Sequence, residues 1–206
     1  MVKLQISNLS HEYDDREVLH GIDFVFDGAR MAITGPNGSG KSTLMRIIAD
    51  LLTPTEGQVS LEIDGVRVPH DCVRDIVGLV APDVRLYGEL TVRENLRFLS
   101  SARGYVGRAR IDQALDEVDI ADRADDLVKN LSSGLQRRAC YAAALIHDPL
   151  VLLLDEPSAN LDKKGIEMTR SVIDRRSKRG IAVLATNDRD EAAICESCLD
   201  LGEVGR

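Results

Sequence analysis

The loop "GPNGSGKST", Gly35 to Thr43, sets three glycines, one lysine and a pair of adjacent hydroxyls directly ahead of an apolar run. It fits G-x-x-x-x-G-K-[ST] at Gly35, Gly40, Lys41 and Ser42. Glycine lets consecutive backbone N–H groups turn toward one point, and a helix starting there adds its positive end. Such a nest receives an anion with several oxygens, so Pro36, Asn37, Gly38, Ser39 and Thr43 read as the rest of a polyphosphate cradle. Lys41 supplies a compact charge for the outer phosphates, and the Ser42 hydroxyl suits Mg²⁺. Charge-assisted hydrogen bonds of about 1.5–3 kcal/mol each make several of them a firm grip.

A second cluster stands in "VLLLDEPSANLD". Four apolar residues describe a buried strand that delivers Asp155 and Glu156 at its tip. Asp155 suits a Mg²⁺ role, direct or through water. Glu156, one residue on, can face a γ-phosphate and take a proton from an attacking water. Together the two clusters point to binding and hydrolysis of a nucleoside triphosphate.

Elements of two kinds must position them. Val2, Leu4 and Ile6, then Ile22, Phe24 and Phe26, alternate with period two as strands, and "HEYDDREVLHG" between them reads as a polar turn. "RMAITG" reads as a short buried strand entering the glycine loop, "KSTLMRIIADLL" as a helix, and "QVSLEIDG" as a further strand after the "TPTEG" turn. "DIVGLVAPD" is a buried strand ending at Pro82. From Thr91 to about Ala144 the texture is helical: Thr91 and Glu94 have capping-box spacing, and Ile111, Leu115 and Val118 share one face. After "VLLLDEP" the pattern predicts a helix from about Lys163 to Arg179, the strand "GIAVLATND" and a short helix–strand ending. The expected fold is α/β, a mostly parallel sheet with helices on both faces, an N-terminal antiparallel β portion and a helical subdomain at about 85–145, all in one domain over 1–206.

Composition narrows the class. The net charge is −8, which argues against a nucleic-acid partner, because phosphate backbones want clustered Lys and Arg. No window approaches the roughly 18 apolar residues of a membrane span, and "MVKLQISNLS" lacks the apolar block of a signal peptide. The expectation is therefore a cytoplasmic protein. Cys72, Cys140, Cys195 and Cys198 suit free thiols in a reducing compartment. Cys195 and Cys198 lack two further ligands at zinc spacing and read as buried thiols on a helix face.

The segment "LSSGLQRR", Leu131 to Arg138, completes a longer series. Taken with the glycine loop and "VLLLDEP", it resembles the ATP-binding subunits of ABC transporters, over essentially the whole chain. The resemblance implies a P-loop NTPase fold, with ATP and Mg²⁺ as cofactors. It implies an adenine-stacking ring at Tyr13, a signature at Leu131, Ser132, Ser133, Gly134 and Gln136, a D-loop ending at Asp162 and a switch position at Asn187. It also implies a head-to-tail homodimer or paired ATPase subunit, each ATP held between one cradle and the other chain's signature. An integral membrane permease then holds the subunit on the inner face of the cell membrane.

Three departures from the family pattern stand out. Pro82 occupies the place of a glutamine that touches Mg²⁺ and the partner, so either Asp83 takes the cation role or that contact is missing. Asn187 replaces the switch histidine, so it hydrogen-bonds a γ-phosphate without relaying a proton, and slow hydrolysis is expected. The signature carries Ser133 and Leu135 where glycine and glutamine are usual. The short chain and its "ELTVRENLRF" run look like the heme exporters of cytochrome c maturation, and export systems for lipids, drugs or ions fit equally well. A groove near Val84, Leu86, Tyr87 and Leu90 reads either as a partner's docking surface or as packing within the domain. A soluble ABC ATPase without a transporter, or a module that has lost most catalysis, are the competing readings.

Overall fold

The computed structural model describes residues 1–14, 16–104 and 108–202. The alternating N-terminal segments become strands β1 (Val2–Tyr13) and β2 (Arg16–Phe26), an antiparallel pair. The chain then leaves through β3 (Arg30–Thr34) and helix α1 (Lys41–Ile48), and returns as β4 (Glu56–Ile63) and β5 (Val66–Arg67). These complete a four-stranded sheet in the order β2-β1-β4-β5. The polar turn expected between the first two strands is instead mostly strand, running to Tyr13 and resuming at Arg16. Its reading failed because three register shifts interrupt the pairing, so Leu9, His11 and Leu19 stay buried without strict alternation. Asn8 (φ 45°) and Gly21 (φ 54°) take left-handed backbone beside these irregularities.

Beyond the short helix α2 (Val73–Ile76) the chain alternates β6 (Val77–Val80), the helices α3 (Val92–Ala102), α4 (Arg108–Glu117) and α5 (Ser133–Leu145), and then β7 (Val151–Asp155). Helix α6 (Lys163–Arg176), strand β8 (Ile181–Ala185), helix α7 (Arg189–Ala193) and strand β9 (Ser197–Asp200) follow. The five strands pair in parallel in the order β6-β7-β8-β3-β9. Helix α6 stops three residues short of the expected Arg179, with Ser177 as its C-cap. The expected helix face for Cys195 and Cys198 is absent: Cys198 lies exposed on β9 and Cys195 is half-buried after α7, because this stretch adds an edge strand beside β3.

Strand period decides what each face of the parallel sheet buries. Val151 and Leu153 join Met31, Ile33, Leu44 and Ile48 against the antiparallel sheet. Leu152 and Leu154 face the other way, into a cluster with Leu96, Leu115, Tyr141 and Val172 from the helices. Ile111, Leu115 and Val118 do share a buried face, and Thr91 caps α3 with Glu94 in the expected reciprocal box. The approach to α3 rests on fully buried Asn95, whose Oδ1 accepts from the Tyr87 amide at 2.8 Å while its Nδ2 donates to the carbonyls of Tyr87 and Thr91 at 3.0 and 2.9 Å.

His147 is buried behind β6, its Nε2 donating to the Val77 carbonyl at 3.0 Å. Burial, helped by the nearby Arg103 charge, pushes its pKa down from 6.5 to about 4. The native state therefore refuses a proton that the unfolded chain accepts between those values. Stability from this residue is complete above pH 6.5 and is lost as pH falls toward 4, by up to about 3 kcal/mol. Urea midpoints measured from pH 7 to 4 should show a steeper fall for the native chain than for His147→Gln, which keeps an amide donor for Val77. Equal slopes would assign acid sensitivity to other groups.

Candidate functional site

Strand order places three loops side by side. Strand β8 lies between β7 and β3, so the segments leaving all three strands emerge together at their carboxyl ends, where α/β sheets bind ligands. The ladder even extends into the loops: Glu156 N–H donates to Ala185 at 2.9 Å and Thr186 N–H to Ile33 at 3.0 Å.

After β3 the glycine loop takes positive φ at Gly35 (139°), Gly38 (84°) and Gly40 (94°). A Cβ at Gly40 would stand 2.5 Å from Leu19 and 2.9 Å from the Val18 carbonyl, whereas one at Gly38 would project into open space, where the ligand must come. Lys41 is buried, and its Nζ donates to the carbonyls of Gly35 and Pro36 at 2.6 and 3.1 Å, drawing the loop around itself. The loop borders a cavity of about 470 Å³ lined by Tyr13, Gly38, Lys41, Ser42, Asp155 and Glu156 among others. Ser39 Oγ is buried against Gly35 and does not line this cavity. Amides, one ammonium and the oxygens of Ser42 and Asp155 make a donor set that fits a triphosphate with a hard divalent cation.

Asp155 ends β7 and is buried, while Glu156 is exposed in left-handed backbone (φ 50°), a conformation that a non-glycine residue holds only when its surroundings enforce it. Arg137 of α5 does so from below, Nη2 donating to the carbonyls of Asp155 and Glu156 at 2.7 and 3.0 Å. One turn later Tyr141 donates its hydroxyl to the Pro157 carbonyl at 2.9 Å, and burial pushes its pKa up to about 12, so it stays a neutral donor. At the end of β8, Asn187 Nδ2 donates to Asn37 Oδ1 at 2.8 Å, joining the switch position to the glycine loop. Glu191 ties the same strand end to the D-loop, accepting from the Thr186 hydroxyl and, at 3.2 Å, from the Ser158 amide.

Other expected residues lie elsewhere. Tyr13 borders the cavity with two-fifths of its surface exposed, its ring edge-on to buried His11 at 4.6 Å. Asp83 is not among the residues lining that cavity; it pairs with Arg46 of α1 at 2.7 Å, and this hydrogen bond is the main cause raising the Arg46 pKa. Of the signature residues, Leu131 is buried, Ser132 is an exposed N-cap accepting from Leu135 N–H, and Ser133 begins α5. Gly134 lies against the Asn160 carbonyl, and Gln136 donates back to the carbonyls of Val128 and Leu131 at 3.1 and 3.0 Å. None of the five lines the cradle cavity; Ser133 and Gln136 border a separate cleft of about 410 Å³ that meets the first at Glu156. Asp162 caps α6 through Gly165 N–H and pairs with buried Arg138, and the Gly165 bond foremost holds its carboxyl below the usual range.

Arg137, Tyr141 and Glu191 had no signal in the sequence, since each acts on backbone carbonyls or amides that fold brings near. Arg16 and Val18 border the cradle as well, from a stretch read as turn.

The family model "ABC transporter" matches residues 19–159. The aliphatic sulfonates import ATP-binding protein SsuB 2 of Xanthomonas axonopodis pv. citri (strain 306) is 38% identical over 98% of this chain and 69% of its own length. The daunorubicin resistance ATP-binding protein DrrA3 of Streptomyces coeruleorubidus is 33% identical over 98% of this chain and 66% of its own. This chain thus spans about two thirds of the length of both relatives. Among solved structures, cbiO1 of Clostridium perfringens, part of the ABC transporter complex cbiONQ, superposes with a TM-score of 0.77 at 28% identity, covering 97% of this chain and 85% of that one.

Proposed function

The chain belongs to the ABC transporter family, and from that premise we propose that it works as a head-to-tail dimer, each ATP clamped between one cradle and the other chain's signature. It is an ATP-binding subunit that powers an ABC transporter by hydrolysing ATP. The observation that carries the dimer is positional. Ser132 and Ser133, at the start of α5, are exposed at the surface and lie outside the chain's own cradle cavity. A helix start with exposed donors is an anion site in search of a phosphate, and a second copy brings one.

In this arrangement Gly35–Thr43 wraps the phosphates, Lys41 meets the outer ones and Tyr13 stacks on the base. Ser42 and Asp155 would hold Mg²⁺, which when bound offsets the charge of the β- and γ-phosphates. Glu156 accepts a proton from the attacking water as the γ-phosphoryl passes to that water's oxygen, giving ADP and phosphate. Asn187, tied to Asn37, hydrogen-bonds the γ-phosphate, and Asp162 completes the interface from the D-loop. Asp83, paired with Arg46, serves the cation only if that pair opens. The residues 1–206 act as one domain, the helical subdomain at about 85–145 carrying the signature.

No helix among the described residues is long and apolar enough to cross a membrane, so the proposed place, the cytoplasmic face of the cell membrane, depends on a permease. Its docking site in this reading is a groove of about 230 Å³ lined by Leu79, Val84, Leu86, Leu99, Ala143 and His147, beside exposed Tyr87. Similar chains are named for sulfonate import and for daunorubicin resistance, so cargo follows the permease and heme export gains no support from them. Light scattering of the purified chain tests the reading: MgATP, and not ADP, should double the mass. A mass that stays monomeric at saturating MgATP would refute the clamp.

A further inference from the structure

We propose that Arg137 is a positioning residue for hydrolysis, fixing from the signature helix the backbone turn that aims Glu156. The inference deepens the reading above and rests on Glu156 as the proton acceptor. A single nitrogen, Nη2, donates to the carbonyl before Glu156 Cα and to the carbonyl after it, at 2.7 and 3.0 Å. Those two carbonyls belong to the peptide planes on either side of one φ,ψ pair, so holding both fixes both dihedrals. The pair held is the one in left-handed backbone, at φ 50°. A long unbranched side chain does not favour that region, so the turn is held by its main-chain partners. Besides Arg137, the Glu156 amide donates to Ala185 at 2.9 Å and the Glu156 carbonyl accepts from the Ala159 amide at 3.1 Å.

The brace is rigid. Arg137 is 8% exposed, and its guanidinium lies 6.0 Å over the ring of fully buried Tyr141, four residues on along the same helix face. Tyr141 in turn holds the Pro157 carbonyl, and Ala185 holds the Glu156 amide from the opposite side. Three consecutive residues, Asp155 to Pro157, are thereby pinned by α5 and β8. Helix α5 also begins at the signature. The element that presents Ser132 and Gly134 to one nucleotide therefore grips the catalytic turn that serves another.

An arginine on carbonyls could equally be plain architecture, and the experiment separates the two. In Arg137→Met, kcat for ATP hydrolysis should fall about tenfold or more, since small misplacement of a reacting group is costly. MgATP affinity, read with a fluorescent ATP analogue, should hold within about twofold. Arg137→Lys, whose ammonium reaches one carbonyl at a time, should recover part of the rate and guards against a variant that does not fold. In single-turnover measurements on the Glu156→Gln background, Arg137→Met should add less than about twofold, because the group it aims is gone. Equal losses in both backgrounds, or a loss of affinity with kcat unchanged, would overturn the role. If Glu156→Gln itself hydrolyses ATP at the native rate, the acceptor assignment fails first, and the proposal with it.

Discussion

Glu156→Gln should lower ATP turnover about a thousandfold while leaving MgATP binding intact and holding the protein as a dimer. The amide is nearly isosteric with the carboxylate, so the Arg137 and Ala185 bonds to its backbone persist and the turn keeps its shape. What disappears is the ability to take a proton from water. Binding rests on other groups, the cradle amides, Lys41 and Ser42, and those are untouched. With hydrolysis stopped, the γ-phosphate that bridges two chains is never removed, and the closed form accumulates. Phosphate release and light scattering, run on one preparation, measure both halves. A variant that binds MgATP yet elutes as a monomer would deny the clamp, and one that still releases phosphate at the native rate would deny the base.

The cradle was legible because its chemistry fixes both residue type and spacing. Gly40 admits no Cβ against Leu19 and the Val18 carbonyl, and Lys41 must start the helix to reach back over Gly35 and Pro36. Buried parallel strands were legible for a related reason: continuous apolar runs such as Val151–Leu154 have no other home. The hairpin was not, because bulged pairing between β1 and β2 breaks period two and makes buried strand look like polar turn. Nor were the braces of the site. Arg137, Tyr141 and Glu191 act on main-chain atoms far away in sequence, and a main-chain atom has no residue type to read. Gln136 and Asp162 illustrate a subtler gap. Their motif positions are plain, but in this chain their polar atoms bind Val128, Leu131, Gly165 and Arg138, anchoring the segments that carry the motif.

Restoring the switch histidine, Asn187→His, should raise kcat about tenfold to a hundredfold with little change in MgATP affinity. Asn187 sits exposed just past β8, one residue beyond buried Thr186 and within 2.8 Å of Asn37 Oδ1. Its amide donates one bond there and neither accepts nor delivers a proton. Imidazole keeps a ring N–H for Asn37 and adds a second nitrogen that changes protonation near neutral pH. Backbone geometry favours the exchange: Thr186 N–H remains on Ile33, its hydroxyl on Glu191, and Asp188 caps α7 through the amides of Asp190 and Glu191. The new side chain therefore meets a fixed frame. Steady-state phosphate release across pH 6 to 8 checks the outcome, and the gain should depend on pH with a midpoint that the native chain lacks. An unchanged or lower rate would place the limiting step away from the γ-phosphate, in dimer opening or in the pair formed by Asp83 and Arg46.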